Sequence, residues 1–306
     1  MNSAVLVRLV LLGMIWGASF LFQRIAVPVV GAGMTAAARM IFAALTLSIV
    51  LALMRKSLQW RRRWKDYLLI GTTVAGVPFL CFAYGAYSLP AGYLAVLNAT
   101  TPLFTVLLVS LAGTRASASK WVGVVVGIVG VFTLARFGTV GMNLQTALGF
   151  AAVLVASLLY AYSARAIQLR FADVDPLVVA TGNMIGGTLP LLPVAIYTFP
   201  RQMPSLGVLG CLLALGVICT ALAYALHFRN IREAGSERAV TVTFFVPLFA
   251  QLWGALFLGE SVTWASATGC ALVLLAVAFI FEQVPGFARR SRPVVLAPKL
   301  CENKAA

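Results

Sequence analysis

The sequence predicts an all-α integral membrane protein with ten transmembrane helices, arranged as two inverted repeats of five. Three observations lead to this fold class. Of the 306 residues, 61% are hydrophobic and only 10% are charged, whereas soluble domains carry about 25% charged residues. Apolar stretches long enough to cross a bilayer recur along the chain. Short sequence patterns also recur between its two halves, at offsets of 144 to 146 residues.

Ten apolar segments, each bounded by charged residues, glycine or proline, define the predicted helices. A helix needs about 20 residues to cross a hydrocarbon core of about 30 Å, and each segment has that length within a few residues. The predicted limits are residues 4–23, 34–54, 66–87, 91–112, 118–136, 146–167, 176–198, 205–230, 238–258 and 263–282. The short connections leave almost no room for a soluble domain on either side.

The basic residues predict the orientation in the membrane. The chain has 23 Lys and Arg against 8 Asp and Glu. Nineteen of the basic residues lie on one predicted side of the membrane: Arg8, the connections after helices 2, 4, 6 and 8, and the tail. Arg24, Arg136 and Arg201 lie on the opposite side. The positive-inside rule therefore predicts that both termini are cytoplasmic, and an even number of helices agrees. This distribution explains the charge without a nucleic acid partner, and the basic tail 285–306 is predicted to be disordered.

A repeated tripeptide anchors the internal repeat. Pro-Leu-Phe at residues 102–104 recurs at residues 247–249, an offset of 145. Residues 39–41 match residues 183–185 at an offset of 144, and Gly123 matches Gly269 at 146. The shared offset predicts a duplicated unit of five helices, with domains at residues 1–140 and 141–284.

A unit of five helices crosses the membrane an odd number of times, so its second copy must enter with the opposite orientation. The two copies are then related by a pseudo-two-fold axis in the membrane plane. Inverted repeats are characteristic of secondary transporters, whose binding sites lie near the bilayer midplane between the repeats. The repeat therefore predicts transport by alternating access.

Four segments resemble a known family. NATTPLFTVLLVSLAGTRASASKWVGVVVGIVGVFTL and VPLFAQLWGALFLGESVTWASATGCALVLLAVAFIF resemble the fourth, fifth, ninth and tenth helices of EamA-type members of the drug/metabolite transporter superfamily. IWGASFLFQRIA and AAARMIFAAL resemble the first and second helices. The resemblance covers about residues 5–282. It implies a 1+4 arrangement of helices around a central cavity, and export of amino acids or other small metabolites across a bacterial inner membrane. The aromatic amino acid exporter branch is the preferred comparison.

Polar and aromatic side chains inside the predicted helices are the candidates for substrate binding, because an isolated polar group in lipid is costly. The set is Trp16, Ser19, Phe20, Gln23, Arg39, Phe79, Phe82, Asn98, Thr101, Tyr160, Ser163, Tyr224 and His227. Most have an alternative interpretation as ordinary helix packing or interhelical hydrogen bonding. For Gln23, near a helix end, the alternative is a place at the membrane interface. Arg39, the basic residue placed within a helix, either donates to a substrate carboxylate, joins a gating pair or snorkels to the outer interface.

The sole histidine, His227, lies three residues after Tyr224, so both share a helix face. At an offset of 145 the pair matches Phe79 and Phe82. Equivalent helices of the two repeats are therefore predicted to present an aromatic wall to one cavity. His227 has two other interpretations, as a proton carrier or as a donor to a backbone carbonyl.

The prolines at equivalent positions, Pro102 and Pro247, are predicted to kink their helices and to act as hinges. Proline removes a helical hydrogen bond and clashes with the preceding turn, and in a membrane the freed carbonyl is satisfied by neighbours or lines a polar cavity. Glu260, in the last outer connection, is interpreted either as a structural cap or as part of a gate.

Missing motifs limit the mechanism. The chain contains no GxxxxGK[ST] loop, no HExxH and no GxSxG, so ATP coupling, a cofactor, a metal site and an enzymatic function are not expected. The eight acidic residues fall in connections, helix ends or the tail, which favours facilitated diffusion over coupling through an intramembrane carboxylate. The alternatives are proton antiport of a nucleoside, sugar phosphate or drug, and a membrane-embedded enzyme. The expected partners are a small-molecule substrate and the lipid bilayer, with a monomer as the working assumption.

Overall fold

Every regular element is helical in the computed structural model, which describes residues 3–200 and 202–283. The long helices are α1 Ser3–Leu53, α2 Trp60–Gly85, α3 Ala91–Leu111, α4 Ala118–Phe137, α5 Leu144–Arg170, α6 Pro176–Tyr197, α7 Leu206–Ala234, α8 Val242–Leu258 and α9 Trp264–Ile280. Helices α1 to α7 are long and apolar enough to cross a membrane, while α8 and α9 are shorter apolar helices. The all-α class is confirmed. The predicted tail 285–306 and Arg201 lie outside the described residues.

The first helix differs from the prediction. A connection was expected at residues 24–33, but α1 continues through Pro28, and its helical dihedral angles break at Gly31 alone (φ 80°, ψ 161°). Glycine adopts a positive φ without steric penalty, so one residue redirects the chain where a loop was expected. We call residues 3–30 the N-terminal arm of α1 and residues 32–53 its C-terminal arm. The Ala32 amide after the break donates to the Tyr87 hydroxyl at 3.1 Å.

Ion pairs and hydrogen bonds between helix ends define two faces of the bundle. We call basic face the surface formed by residues 54–59, 112–117, 171–175 and 235–241, together with the start of α1 and the end of α9. Here Lys56 pairs with Asp175 at 2.6 Å and Arg63 with Asp173 at 2.7 Å. Ser117 donates to Glu282, and Arg8 bonds Asn230 and Glu233. The opposite face is formed by residues 86–90, 138–143, 198–200, 202–205 and 259–263.

Two helix crossings have the same close contact at corresponding positions of the two halves. A Cβ on Gly71 of α2 would lie 2.2 Å from the Asn183 carbonyl oxygen and 2.6 Å from the Gly187 nitrogen. A Cβ on Gly216 of α7 would lie 2.8 Å from the Arg39 carbonyl oxygen and 3.0 Å from the Ala43 nitrogen. Only glycine permits so close an approach of two backbones.

These three pairs of positions match the offsets seen in the sequence: Gly71 with Gly216 at 145, and Arg39 with Asn183 and Ala43 with Gly187 at 144. The next turn is π-helical in both helices, at Thr72–Gly76 and Val217–Leu222. A π-helical turn widens the helix locally and is frequent at functional sites. In α7 this turn carries Thr220, which contacts Arg39.

Candidate substrate-binding cavity

A cavity of about 620 Å³ lies between the helices, within the range of about 300–1,000 Å³ that is usual for small-molecule sites. Its walls come from every long helix except α6. Eleven of the thirteen predicted residues line it, together with both prolines: Trp16, Ser19, Phe20, Arg39, Phe79, Phe82, Asn98, Thr101, Tyr160, Tyr224, His227, Pro102 and Pro247. The structure thus brings side chains that are distant in sequence to one cavity; substrate binding by them stays a prediction.

Gln23 and Ser163 do not line the cavity. The Gln23 side chain is buried and donates to the Ser19 carbonyl at 3.1 Å. The Ser163 hydroxyl donates to the Thr73 hydroxyl at 2.8 Å, across the contact between α5 and α2. In this conformation both residues stabilise the helices behind the cavity wall.

Arg39 is the buried charge of the cavity, with only 7% of its surface exposed. Its Nε donates to the Thr220 hydroxyl at 3.0 Å, and its guanidinium carbon lies 3.8 Å from the centre of the Phe79 ring. Both contacts are to neutral groups, and no carboxylate among the described residues forms an ion pair with it. The arginine is therefore anchored at Nε and stacked on one face, and no described residue serves as its counter-ion.

Aromatic rings form much of the remaining wall. The ring centres of Trp16 and His227 are 5.2 Å apart, those of Phe20 and Phe82 are 5.6 Å apart, and Tyr160 stacks on Phe82 at 5.9 Å. These distances are typical of favourable aromatic pairs. The Nδ1 atom of His227 is buried and has no hydrogen-bond partner in the part of the chain that the structure describes, which is uncommon for a buried polar atom. The wall offers a large apolar surface with few polar groups.

The two prolines differ in their local structure. Helix α3 is interrupted between Asn98 and Thr101, just before Pro102, whereas α8 is continuous across Pro247. The Asn98 carbonyl, which proline deprives of its helical donor, accepts from the Thr101 hydroxyl at 2.8 Å. The expected symmetry of the kinks is therefore not reflected in where the helices break, and the hinge role of both prolines stays a prediction.

The cavity extends to the basic face. Its wall there includes the exposed residues Thr114 and Arg115, with Lys120 beside them. The sequence analysis did not identify these residues or Thr220 as part of the site. A basic residue at a helix end, or a threonine inside a helix, does not reveal from sequence alone which way its side chain points. The duplicated pattern gives no signal for Thr220 either, since alanine occupies the matching position at residue 75.

At the opposite face, where no described residue of the connections lines the cavity, a polar network joins the helix ends. Arg24 donates from Nε to Glu260 at 3.0 Å and from Nη1 to the Ala86 carbonyl at 2.7 Å. The other Glu260 oxygen accepts from the Ala91 amide at 2.9 Å. Four chain segments are joined by these bonds, and both interpretations of Glu260, as a cap and as part of a gate, are compatible with them.

A bundle of long apolar helices around a mostly apolar cavity, which holds one buried arginine and reaches one face, defines a multi-pass membrane protein of the transporter class. The EamA-like transporter family model matches this chain twice, at residues 4–136 and 147–282. The chain therefore belongs to the EamA-like transporter family, and the resemblance to the drug/metabolite transporter superfamily is confirmed.

Named relatives agree with this membership. Protein PecM of Dickeya dadantii is 30% identical over 250 residues, covering 79% of this chain and 81% of PecM. An uncharacterized inner membrane transporter of Escherichia coli K12, YedA, is 26% identical over 282 residues, with 87% of each chain covered. A chain in a solved crystal structure superposes with a TM-score of 0.64 at 19% identity, covering 91% of this chain and 96% of the other; this likeness concerns the fold alone.

Proposed function

We propose that this protein exports aromatic or bulky apolar amino acids by alternating access, without coupling to an ion. The observation that carries the proposal is the cavity itself. It has aromatic walls, access from the basic face, and one buried arginine that pairs with no carboxylate among the described residues. The arginine would receive the substrate carboxylate, and the rings of Trp16, Phe20 and Phe82 would pack against its side chain. This division of labour suits an amphipathic metabolite.

We also propose ten crossings, with the two arms of α1 counted separately, and an inverted relation between residues 1–140 and 141–284. The paired contacts of Gly71 and Gly216, at matching offsets, support this relation, as does the family model's second match at residues 147–282. Because each unit would cross the membrane five times, the second unit would begin on the opposite side and have the inverted orientation. Alternating access then follows from exchanging the conformations of two similar halves.

The basic face is proposed to be cytoplasmic, with both termini on that side, in the inner membrane of a bacterium. The basic residues near Arg63 and Lys56 support this orientation by the positive-inside rule, and the relative YedA is described as an inner membrane transporter. The cavity then faces the cytoplasm, from which an exporter takes its substrate. We expect a monomer to suffice, because one chain encloses the cavity.

Uncoupled transport is proposed because, among the described residues, the cavity wall contains no aspartate or glutamate. Proton-coupled carriers commonly use an intramembrane carboxylate. Proton antiport of a nucleoside, sugar phosphate or drug is the second candidate. The observation that favours it is the buried Nδ1 of His227, which bonds no group within residues 3–200 and 202–283. An enzymatic activity has no comparable observation in its favour.

Counterflow in proteoliposomes tests the proposal. Vesicles that contain only this protein are loaded with unlabelled compound, and uptake of labelled aromatic and aliphatic amino acids, nucleosides and sugar phosphates is followed with and without a proton gradient. We expect saturable counterflow of aromatic amino acids that a proton gradient does not change. The variant Thr101→Trp fills the cavity and should abolish it, whereas Leu111→Trp, at a residue that is 85% exposed, should not. Counterflow of nucleosides or sugar phosphates alone would refute the amino acid assignment.

A further inference from the structure

We propose that the cavity selects organic anions, namely monocarboxylates with an aromatic or bulky apolar body, and that it does not require an amino group. This inference rests on the proposed exporter function and changes its substrate class. Amino acids would be transported because they carry a carboxylate, and the corresponding acids without an ammonium group would bind at least as well.

The first step of the argument is the buried charge of Arg39. A buried charge without an opposite charge is strongly unfavourable, and the hydroxyl of Thr220 and the ring of Phe79 offset only part of this. Nε is occupied by Thr220, which leaves the two terminal nitrogens of the guanidinium with no protein hydrogen bond in the described part of the chain. Two such nitrogens match the two oxygens of a carboxylate in a bidentate pair.

The second step is the lack of a site for an ammonium group. Among the described residues of the cavity wall there is no aspartate or glutamate, while Arg115 and Lys120 add positive charge at the mouth. Glu260 and Glu282, at opposite faces of the bundle, are not among the residues that line the cavity, and both already have donors. Glu260 accepts from Arg24 and from the Ala91 amide, and Glu282 accepts from the Ser117 hydroxyl.

The third step compares three head groups on the same aromatic body. An anion neutralises Arg39 and loses water from one charged group only. A zwitterion forms the same pair but must also bury an ammonium against neutral groups, such as the amide of Asn98 or a ring face, where a cation–π contact contributes about 0.5–2 kcal/mol. A cation without a carboxylate meets Arg39 as a like charge. The expected order of affinity is anion at least equal to zwitterion, and both well above cation.

The experiment uses 3-phenylpropionate, L-phenylalanine and phenethylamine, which share one aromatic body and differ in the head group. Binding of each to the purified protein is measured by isothermal titration calorimetry at pH 7. We expect 3-phenylpropionate to bind at least as tightly as L-phenylalanine, and phenethylamine at least about tenfold more weakly than both. These comparisons need no variant, so a folding defect cannot obscure them.

Two variants then test the role of Arg39. Arg39→Gln keeps hydrogen-bond donors but removes the charge, so it should weaken the binding of 3-phenylpropionate at least about tenfold. Arg39→Lys, which keeps the charge, should restore part of the affinity. Arg62→Gln removes a positive charge from an exposed position on the basic-face end of α2 and should leave binding unchanged. Size-exclusion chromatography of each variant checks that the protein is folded.

The outcomes separate this inference from the exporter function. Binding and counterflow of L-phenylalanine, with no binding of 3-phenylpropionate, would overturn the anion preference and keep the amino acid exporter. Phenethylamine binding as tight as that of the acid would also overturn it. Tight binding of 3-phenylpropionate, without counterflow of L-phenylalanine or of the fully ionised phenylpyruvate, would support the recognition and refute transport. Failure of all three ligands to bind would refute both.

Discussion

Arg24 and Glu260, 236 residues apart in the sequence, form an ion pair with Nε and Oε1 3.0 Å apart at the face of the bundle opposite the basic face. The pair is largely shielded, with 27% of the arginine and 14% of the glutamate side chain exposed. Glu260 also binds the amide at the start of α3, and Arg24 binds the carbonyl of Ala86 after α2. The bonds join α1, the α2–α3 connection, the start of α3 and the α8–α9 connection. The interpretation of Glu260 as part of a gate, which stays a prediction, requires that breaking them favours opening.

Glu260→Ala should therefore favour opening toward the opposite face. Loss of these bonds removes about 1–3 kcal/mol from the closed arrangement, and each 1.4 kcal/mol shifts the population tenfold. The measurement is the labelling rate of a single cysteine at Thr101, in a background without the native cysteines, by a membrane-impermeant maleimide added from outside intact cells. We expect labelling to accelerate at least fivefold.

A matched control comes from the basic face. Arg229→Ala breaks an exposed i,i+4 pair with Glu233, and exposed pairs contribute less than about 1 kcal/mol. It should not change the labelling rate. If Glu260→Ala likewise left the rate unchanged, the network would be a structural cap and not a gate.

The close contacts of Gly71 and Gly216 should make both residues intolerant of alanine. A Cβ on Gly71 would meet backbone atoms of α6 at 2.2 Å, and one on Gly216 would meet the Phe42 Cβ at 2.4 Å. Overpacking of this kind costs about 1–3 kcal/mol or more. Each variant should lower the thermal unfolding temperature in detergent by several degrees, with a similar effect at the two sites.

The glycine at residue 210 supplies the control, because a Cβ there would meet nothing within 4 Å. Since alanine is the better helix former by up to about 1 kcal/mol, Gly210→Ala should leave the unfolding temperature unchanged or raise it. A large decrease in unfolding temperature for Gly71→Ala, with no decrease for Gly216→Ala, would contradict the equivalence of the two helix crossings.

The sequence predicted the fold better than it predicted the contacts. A helix prediction depends on apolar length and charge averaged over many residues, so composition predicts most helices. The break at Gly31 depends on a single residue and was not predicted. Helical spacing also placed Trp16 and Phe20 on the cavity side. The contact of Arg39 with Thr220 joins residues 181 positions apart, and only tertiary packing decides it. The same holds for Gln23, whose spacing matched the cavity face but whose side chain bonds its own helix.

The stability of the folded protein depends on pH through Asp175, which lies on the basic face. The hydrogen bond from Lys56 lowers the pKa of the Asp175 carboxyl below its ordinary value of 3.8, and the Leu177 amide at the start of α6 adds to this. Because the folded pKa is depressed, the stabilisation is present above pH 3.8 and is lost as the pH falls through the lower folded value. The carboxylate is 41% exposed, so solvent screening limits the effect to less than about 1 kcal/mol.

Asp175→Asn should accordingly reduce the loss of stability between pH 6 and pH 3, since asparagine still caps a helix but does not titrate. The measurement is the unfolding temperature in detergent at both pH values, compared with the unsubstituted protein. Lys56→Met should act in the same direction, because it removes the main cause of the lowered pKa. An unchanged pH dependence in both variants would show that the pair does not contribute.

The different local structures at Pro102 and Pro247 predict unequal effects of replacing them. The Asn98 carbonyl now accepts a hydrogen bond from the Thr101 hydroxyl. Pro102→Ala supplies a backbone amide that can donate to this carbonyl instead and close the break in α3. A straighter α3 would resist the motion that alternating access needs, so initial counterflow rates should fall at least threefold. Pro247→Ala, in a helix that is already continuous, should have a smaller effect, and the double variant should be the slowest. Pro204→Ala, in the α6–α7 connection, is the control, and a double variant as fast as this control would refute the hinge role.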